Sequence, residues 1–203
     1  GGDGTQCMLL VLDEGHGDLV DTTMSIVEHA ATAAGAQPMP DALVDAWMGH
    51  RNDTSALQGL TRKGFVVDTM EIAAPWSRLD QLFDEVRAAL MGVPHARAAT
   101  CHLSHSYSDG ACLYFTFAAT PPADEVESTY VALWDAGQRA VLAGGGNLSH
   151  HHGVGLNRGR FMAEALGPAH GVLAAIKATL DPNGIMNPGK LGLPTPFGEI
   201  AWP

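Results

Sequence analysis

Ala98-Ala-Thr-Cys-His-Leu-Ser-His-Ser106, Tyr107-Ser-Asp-Gly110 and Ala111-Cys-Leu-Tyr-Phe-Thr-Phe-Ala118 together decide the fold. Two β-prone runs flank four residues that tolerate tight or positive-φ backbone, the pattern of an antiparallel hairpin. Alternation in the second run puts Leu113 and Phe115 on one face and Tyr114 and Thr116 on the other. Upstream, Phe65-Val-Val-Asp-Thr-Met-Glu71 reads as a further strand. Between it and the hairpin, Trp76, Leu79, Leu82, Phe83, Val86 and Leu90 make the stripe of an amphipathic helix opened by Pro75. Downstream, Pro121-Pro122 breaks the second hairpin strand. Val126, Tyr130, Leu133, Trp134, Ala140 and Val141 then form a long helix stopped at Gly144-Gly-Gly146.

Nearer the start, Cys7-Met-Leu-Leu-Val-Leu-Asp13 reads as a strand that follows Gly1-Gly-Asp-Gly-Thr5. Helical spacing follows over Asp18 to Gly35, Pro40 to Trp47 and Thr54 to Lys63, and later over Arg160 to Leu166 and Ala169 to Leu180. The order β-α-α-α-β-α-β-β-α predicts an α+β domain, an antiparallel sheet with helices mainly on one face, not a doubly wound parallel sheet.

Composition narrows the function classes. Of 203 residues, 46% are hydrophobic and 16% charged, enough for a sizeable core and unlike a disordered tail or coiled coil. A formal net charge of −11 without a basic patch argues against nucleic acid or an anionic membrane as partner. Cys7, Cys101 and Cys112 are an odd number with no CxxC pair, which fits a reducing cytoplasm and no cysteine zinc site. No apolar run approaches the roughly 20 residues of a membrane helix.

Chemistry concentrates in Asn147-Leu-Ser-His-His-His-Gly-Val-Gly155, three imidazoles between glycines. An extended segment would point His150 and His152 to one side and His151 to the other. A proton-transfer or anion-binding site and a solvated loop both accommodate that spacing. No metal is expected, because consecutive histidines cannot all reach one ion. Taken alone, Tyr114 reads as a packing residue before it reads as a catalytic phenol. Strand alternation places His102 and His105 on opposite faces, so at most one shares the Tyr114 side. Cys101 and Cys112 are candidates for neighbours across the hairpin.

Four stretches carry a family likeness: Thr69-Met-Glu-Ile-Ala-Ala-Pro-Trp76, Cys101-His-Leu-Ser-His-Ser-Tyr-Ser-Asp-Gly-Ala-Cys-Leu-Tyr-Phe115, Gly145-Gly-Asn-Leu-Ser-His-His-His-Gly-Val-Gly155 and Asp181-Pro-Asn-Gly-Ile-Met-Asn-Pro-Gly-Lys190. With these the chain resembles the C-terminal half of FAD-linked oxidases of the vanillyl-alcohol oxidase superfamily, within it most nearly the alkyldihydroxyacetonephosphate synthase family. The resemblance implies that residues 1–203 are a ferredoxin-like substrate or cap domain with a C-terminal tail. FAD is the implied cofactor, held mainly by an N-terminal domain outside this sequence. It implies that His150, His151, His152 and Tyr114 line the active site. It leaves Arg51 and Arg62 as alternatives for the anionic group of the substrate, beside His102 and His105. Asn187 and Lys190 are the implied peripheral contacts to the cofactor. The implied reaction exchanges an acyl group for a fatty alcohol at the flavin N5. The alternatives are oxidation of a 2-hydroxy acid and a non-catalytic interaction module. A small lipid-like or hydroxy-acid substrate is the implied partner, and a homodimer stays open.

Overall fold

The computed structural model describes residues 7–53 and 55–198. The chain divides into two compact units, Gly1–Ala56 and Leu57–Pro203. The first holds α1 (Gly17–Ala33) and α2 (Ala42–His50), and α3 (Ser55–Thr61) straddles the boundary. Thr54, where the sequence predicts α3 to begin, and the glycine-rich Gly1–Thr5 lie outside the described residues.

Cys7–Asp13 is not a strand, contrary to the sequence reading. Strand character needs a ladder partner as well as an apolar run, and among the described residues this segment has none. Its first five residues instead line a groove with Met24 and Val27 of α1 and Leu43 and Val44 of α2.

The second unit is built on β1 (Val66–Pro75), α4 (Trp76–Met91), β2 (Ala96–Ser104), β3 (Gly110–Ala119) and α5 (Val126–Ala143). The short α6 (Met162–Leu166) and α7 (Pro168–Leu180) follow. The three strands form one antiparallel sheet in the order β1-β3-β2, so the predicted hairpin stands with β3 at its centre. The α+β class, the antiparallel sheet and the helices on one face are as the sequence predicts. Gly110 is required where β3 starts, because a Cβ there would lie 2.2 Å from the Ala74 carbonyl oxygen across the ladder.

Alternation then separates two faces. Val66, Met70, Ile72 and Ala74 of β1 join Ala111, Leu113, Phe115, Phe117 and Ala119 of β3 against Leu79, Leu82, Val86 and Leu90 of α4 and Leu133, Trp134 and Val141 of α5. Each fully buried Val, Leu, Ile, Phe or Met among them contributes about 1.5–3 kcal/mol. Asp68 is the polar member of the core face. Its Oδ2 accepts from the Tyr130 hydroxyl at 2.9 Å and from Trp134 Nε1 at 3.0 Å.

The opposite face carries rows in register: Thr69, Thr116 and Thr100; Glu71, Tyr114 and His102; Ala73, Cys112 and Ser104. Cys101 sits opposite Phe115 and Cys112 opposite Ser104, so the two cysteines are not cross-strand partners. After α5 the chain folds back along the outer edge of β1, where Ala73 and Asn147 exchange backbone hydrogen bonds. That bridge delivers the triple-histidine segment to the open face.

Candidate active site

Tyr114 projects from the middle of the open face, and the loop after α5 folds over it. Its ring stacks on His151 with centroids 6.2 Å apart and meets His152 edge-on at 5.4 Å. The segment bends through these residues instead of running extended. The predicted split of His151 from its neighbours therefore fails: successive rings touch, at 5.2 Å for His150 with His151 and 4.5 Å for His151 with His152.

His105 joins them from the hairpin loop. β2 ends at Ser104 and His105 takes a positive φ of 50°, so strand alternation no longer governs its direction. Its ring lies 5.0 Å from that of His150 and 4.8 Å from that of His151. His102 is the register partner of Tyr114 and so shares its face. The expectation that only one of these two histidines belongs on the Tyr114 side fails because the strand stops between them.

Tyr107, which sequence reasoning passed over, closes the group. Its hydroxyl lies 3.0 Å from His150 Nε2, and the other nitrogen of that ring, Nδ1, lies 3.0 Å from Nδ1 of His151. The loop that presents Tyr107 is held by Trp76, whose Nε1 donates to the Tyr107 carbonyl at 2.9 Å. Both ring nitrogens of His150 are thus engaged. His152 Nε2 carries no hydrogen bond among the described residues.

Beneath the loop lies a carboxylate that the sequence reading quoted only as part of a motif. Glu71 is 0% exposed. Its Oε1 accepts from Ser149 Oγ at 2.6 Å and the His152 amide at 2.9 Å, with Arg158 Nη2 at 3.5 Å. Its Oε2 accepts the His150 amide. Oε1 also lies 3.8 Å from His152 Nδ1. Burial pushes this carboxyl up, but the Ser149, His150 and His152 hydrogen bonds and the Arg158 charge outweigh it, so Glu71 titrates below its usual range. Arg158, 6% exposed, also donates to the Gly153 carbonyl at 3.0 Å and lies 5.0 Å over the Trp134 ring. The sequence signal for Glu71 was an acidic residue inside an apolar strand. Nothing near Arg158 in the chain marks it.

The fold also brings a cysteine to the histidines. Cys112 Sγ and one nitrogen from each of His105, His150 and His151 lie within 4.8 Å of one another. The spacing argument against a cysteine in such a group did not reckon with strand pairing. Burial pushes the Cys112 thiol up, and the Cys101 thiol up to about 11, so both are protonated at neutral pH.

The remaining sequence candidates make no contact with the histidine cluster among those described. Arg51 belongs to the first unit, its guanidinium 5.3 Å over the Trp47 ring. Arg62 follows α3 on the surface. Asn187 has a positive φ of 45°, and its carbonyl accepts the amide of the exposed Lys190 at 3.4 Å.

Comparison with known proteins adds the following. A family model described as "FAD linked oxidases, C-terminal domain" matches residues 2–191. "Uncharacterized FAD-linked oxidoreductase YgcU" of Escherichia coli (strain K12) is 28% identical over 200 residues, covering 92% of this chain and 41% of that protein. "Alkyldihydroxyacetonephosphate synthase" of Dictyostelium discoideum is 28% identical over 197 residues, covering 93% of this chain and 32% of that one. The protein of the same name from Trypanosoma brucei brucei is 39% identical over 106 residues, 51% of this chain and 17% of its own length. The chain therefore spans well under half the length of these relatives.

Proposed function

The chain belongs to the FAD-linked oxidase C-terminal domain family, and from that premise we propose that it is the substrate-facing part of an FAD-dependent enzyme whose His150–His152 segment and Tyr114 carry proton transfer. One observation carries the reading. Tyr114 from the sheet and His151 and His152 from a loop far along the chain converge within 6.2 Å, a meeting of titratable groups that a core would not require.

The residues fit one end of the cofactor. A flat ring system would pack against the imidazoles and phenol of the open face. Gly145, Gly153 and Gly155 have open space where a Cβ would stand, so they form no close backbone cradle for a diphosphate. That end falls to an FAD-holding domain, with Asn187 and Lys190 as peripheral contacts. Bound FAD supplies the electron-accepting ring beside the substrate.

Within this chain the steps are protonic. His152 Nε2, free of other hydrogen bonds among the described residues, takes the proton next to a substrate carbonyl. The Tyr114 hydroxyl donates to the departing carboxylate, and His102, in register beside it, orients the anionic group. The reaction is exchange of an acyl group for a long-chain alcohol, without net redox change, in line with the relatives named synthase. The relative named an oxidoreductase favours a second reading, in which the same imidazole takes the hydroxyl proton of a 2-hydroxy acid during net oxidation.

Anaerobic mixing of the FAD-loaded enzyme that carries this chain separates the two. Turnover of acyl ester and alcohol without lasting bleaching of the flavin supports exchange, and stoichiometric bleaching by a 2-hydroxy acid supports oxidation. Alanine at His152 should slow either reaction by about 10²–10⁴-fold. Near-normal turnover in that variant and in the His150 and His151 variants would return the cluster to a structural loop.

A further inference from the structure

We propose that Glu71 is a positioning residue of this site, a buried anionic clamp that holds the triple-histidine segment in its working shape through the backbone. The inference rests on the proton-transfer reading above and extends it to a residue that touches no reacting atom.

The donors that converge on Glu71 decide the chemistry it must have. The Ser149 hydroxyl, the His150 amide, the His152 amide and the Arg158 guanidinium all point hydrogens at its two oxygens. An ionised carboxylate is the side chain that accepts on both oxygens and donates nothing. Glutamine has the same shape, but its amide nitrogen would meet one of these donors head-on. Aspartate keeps the charge but is one methylene short. Both the length and the ionisation of Glu71 are therefore used.

The clamp acts where the imidazoles need it. The amides it grips belong to His150 and His152, two residues apart, so it fixes the bend between them. That bend sets His151 on Tyr114 and turns His152 edge-on to it. β1, paired along its length with β3, fixes Glu71 in turn, in register with Tyr114 itself. Phenol and imidazoles are thus referred to one rigid ladder, which keeps a proton donor and acceptor within the sub-ångström tolerance such chemistry needs.

The test uses the FAD-loaded enzyme that carries this chain, with Glu71→Gln and, as a milder probe should that variant fold poorly, Ser149→Ala. Amide hydrogen exchange is followed by mass spectrometry in peptides covering residues 147–153 and 110–119. In Glu71→Gln we expect exchange of residues 149–153 to accelerate at least about tenfold, the loss of roughly one charged hydrogen bond, with β3 protection unchanged. kcat should fall about 10²-fold with KM within about threefold, because substrate contacts remain. Ser149→Ala should shift both readouts the same way by a few-fold. Unchanged exchange in 149–153 overturns the proposal. So does protection lost equally from β3, or full kcat beside a loosened loop. If the wild-type enzyme turns over neither substrate class, the functional reading falls, and the exchange arm still decides whether Glu71 holds the segment.

Discussion

Arg158→Met tests whether the buried pair under the loop is as tightly balanced as its geometry requires. Arg158 Nη2 and Glu71 Oε1 are 3.5 Å apart with the two residues 6% and 0% exposed. At an effective dielectric of about 20, that separation corresponds to about 5 kcal/mol of attraction, most of it offset by desolvation of both charges. Methionine fills comparable volume and still covers the Trp134 ring, but strands the carboxylate. Breaking one side of a buried pair typically costs about 3–5 kcal/mol. Glu71 keeps its bonds from Ser149 and two amides, which places the expected loss near the lower end, about 3 kcal/mol. With a urea m value of about 2 kcal/mol/M, the unfolding midpoint should drop by about 1.5 M. The double variant Arg158→Met with Glu71→Gln should recover at least about 1 kcal/mol relative to the sum of the singles, since no charge is then left alone. A loss under about 1 kcal/mol, or simple additivity, would refute the coupling.

Other perturbations follow from the same contacts. Because Glu71 titrates below the ordinary glutamate range, its contribution to stability is complete above that range and fades as pH falls through the lowered value; the gap in urea midpoint between wild type and Glu71→Gln should therefore be full at pH 7 and narrow as the pH is taken below about 4.3. Gly110→Ala puts a Cβ 2.2 Å from a backbone oxygen that cannot yield without opening the β1–β3 ladder, so thermal unfolding should show a loss of about 3 kcal/mol or more. Tyr107→Phe removes the hydroxyl on His150 from an exposed side chain. Its stability change should stay within about 0.5 kcal/mol, while stopped-flow turnover slows by several-fold; an unchanged rate would mean that Tyr107 is a bystander.

How much of this was legible in the chain depended on whether the signal was local. The β2–β3 hairpin, α4 and α5 were all readable because period-2 and period-3.6 patterns, a four-residue turn, an opening Pro75 and a closing Gly144 are written into consecutive residues. Cys7–Asp13 was misread for the complementary reason. Its seven residues carry strand chemistry, but pairing is a property of a second segment. His105 was misplaced because alternation was carried one residue past the end of β2, where a positive φ redirects the side chain.

The site shows the same divide at higher stakes. The histidines announced themselves by adjacency, and Tyr114 by a matched motif, yet what gives them a common geometry lay in residues with no local mark. Glu71 and Arg158 are 87 positions apart, and neither by itself shows in the chain which charge it will meet. A lone buried charge is paid for only by partners that the linear sequence does not display. Glu71 falls between the core-facing Met70 and Ile72, so alternation puts it on the open face, and the segment that buries it there must bring the donors. Here four of them answer it: three belong to the segment that carries the imidazoles, and the fourth, Arg158, also holds that segment at the Gly153 carbonyl. The carboxylate on the open face of β1 is therefore the one that ties the fold to the site. That is why the core-facing alternation of β1 can be read without the loop, whereas the loop cannot be placed without β1.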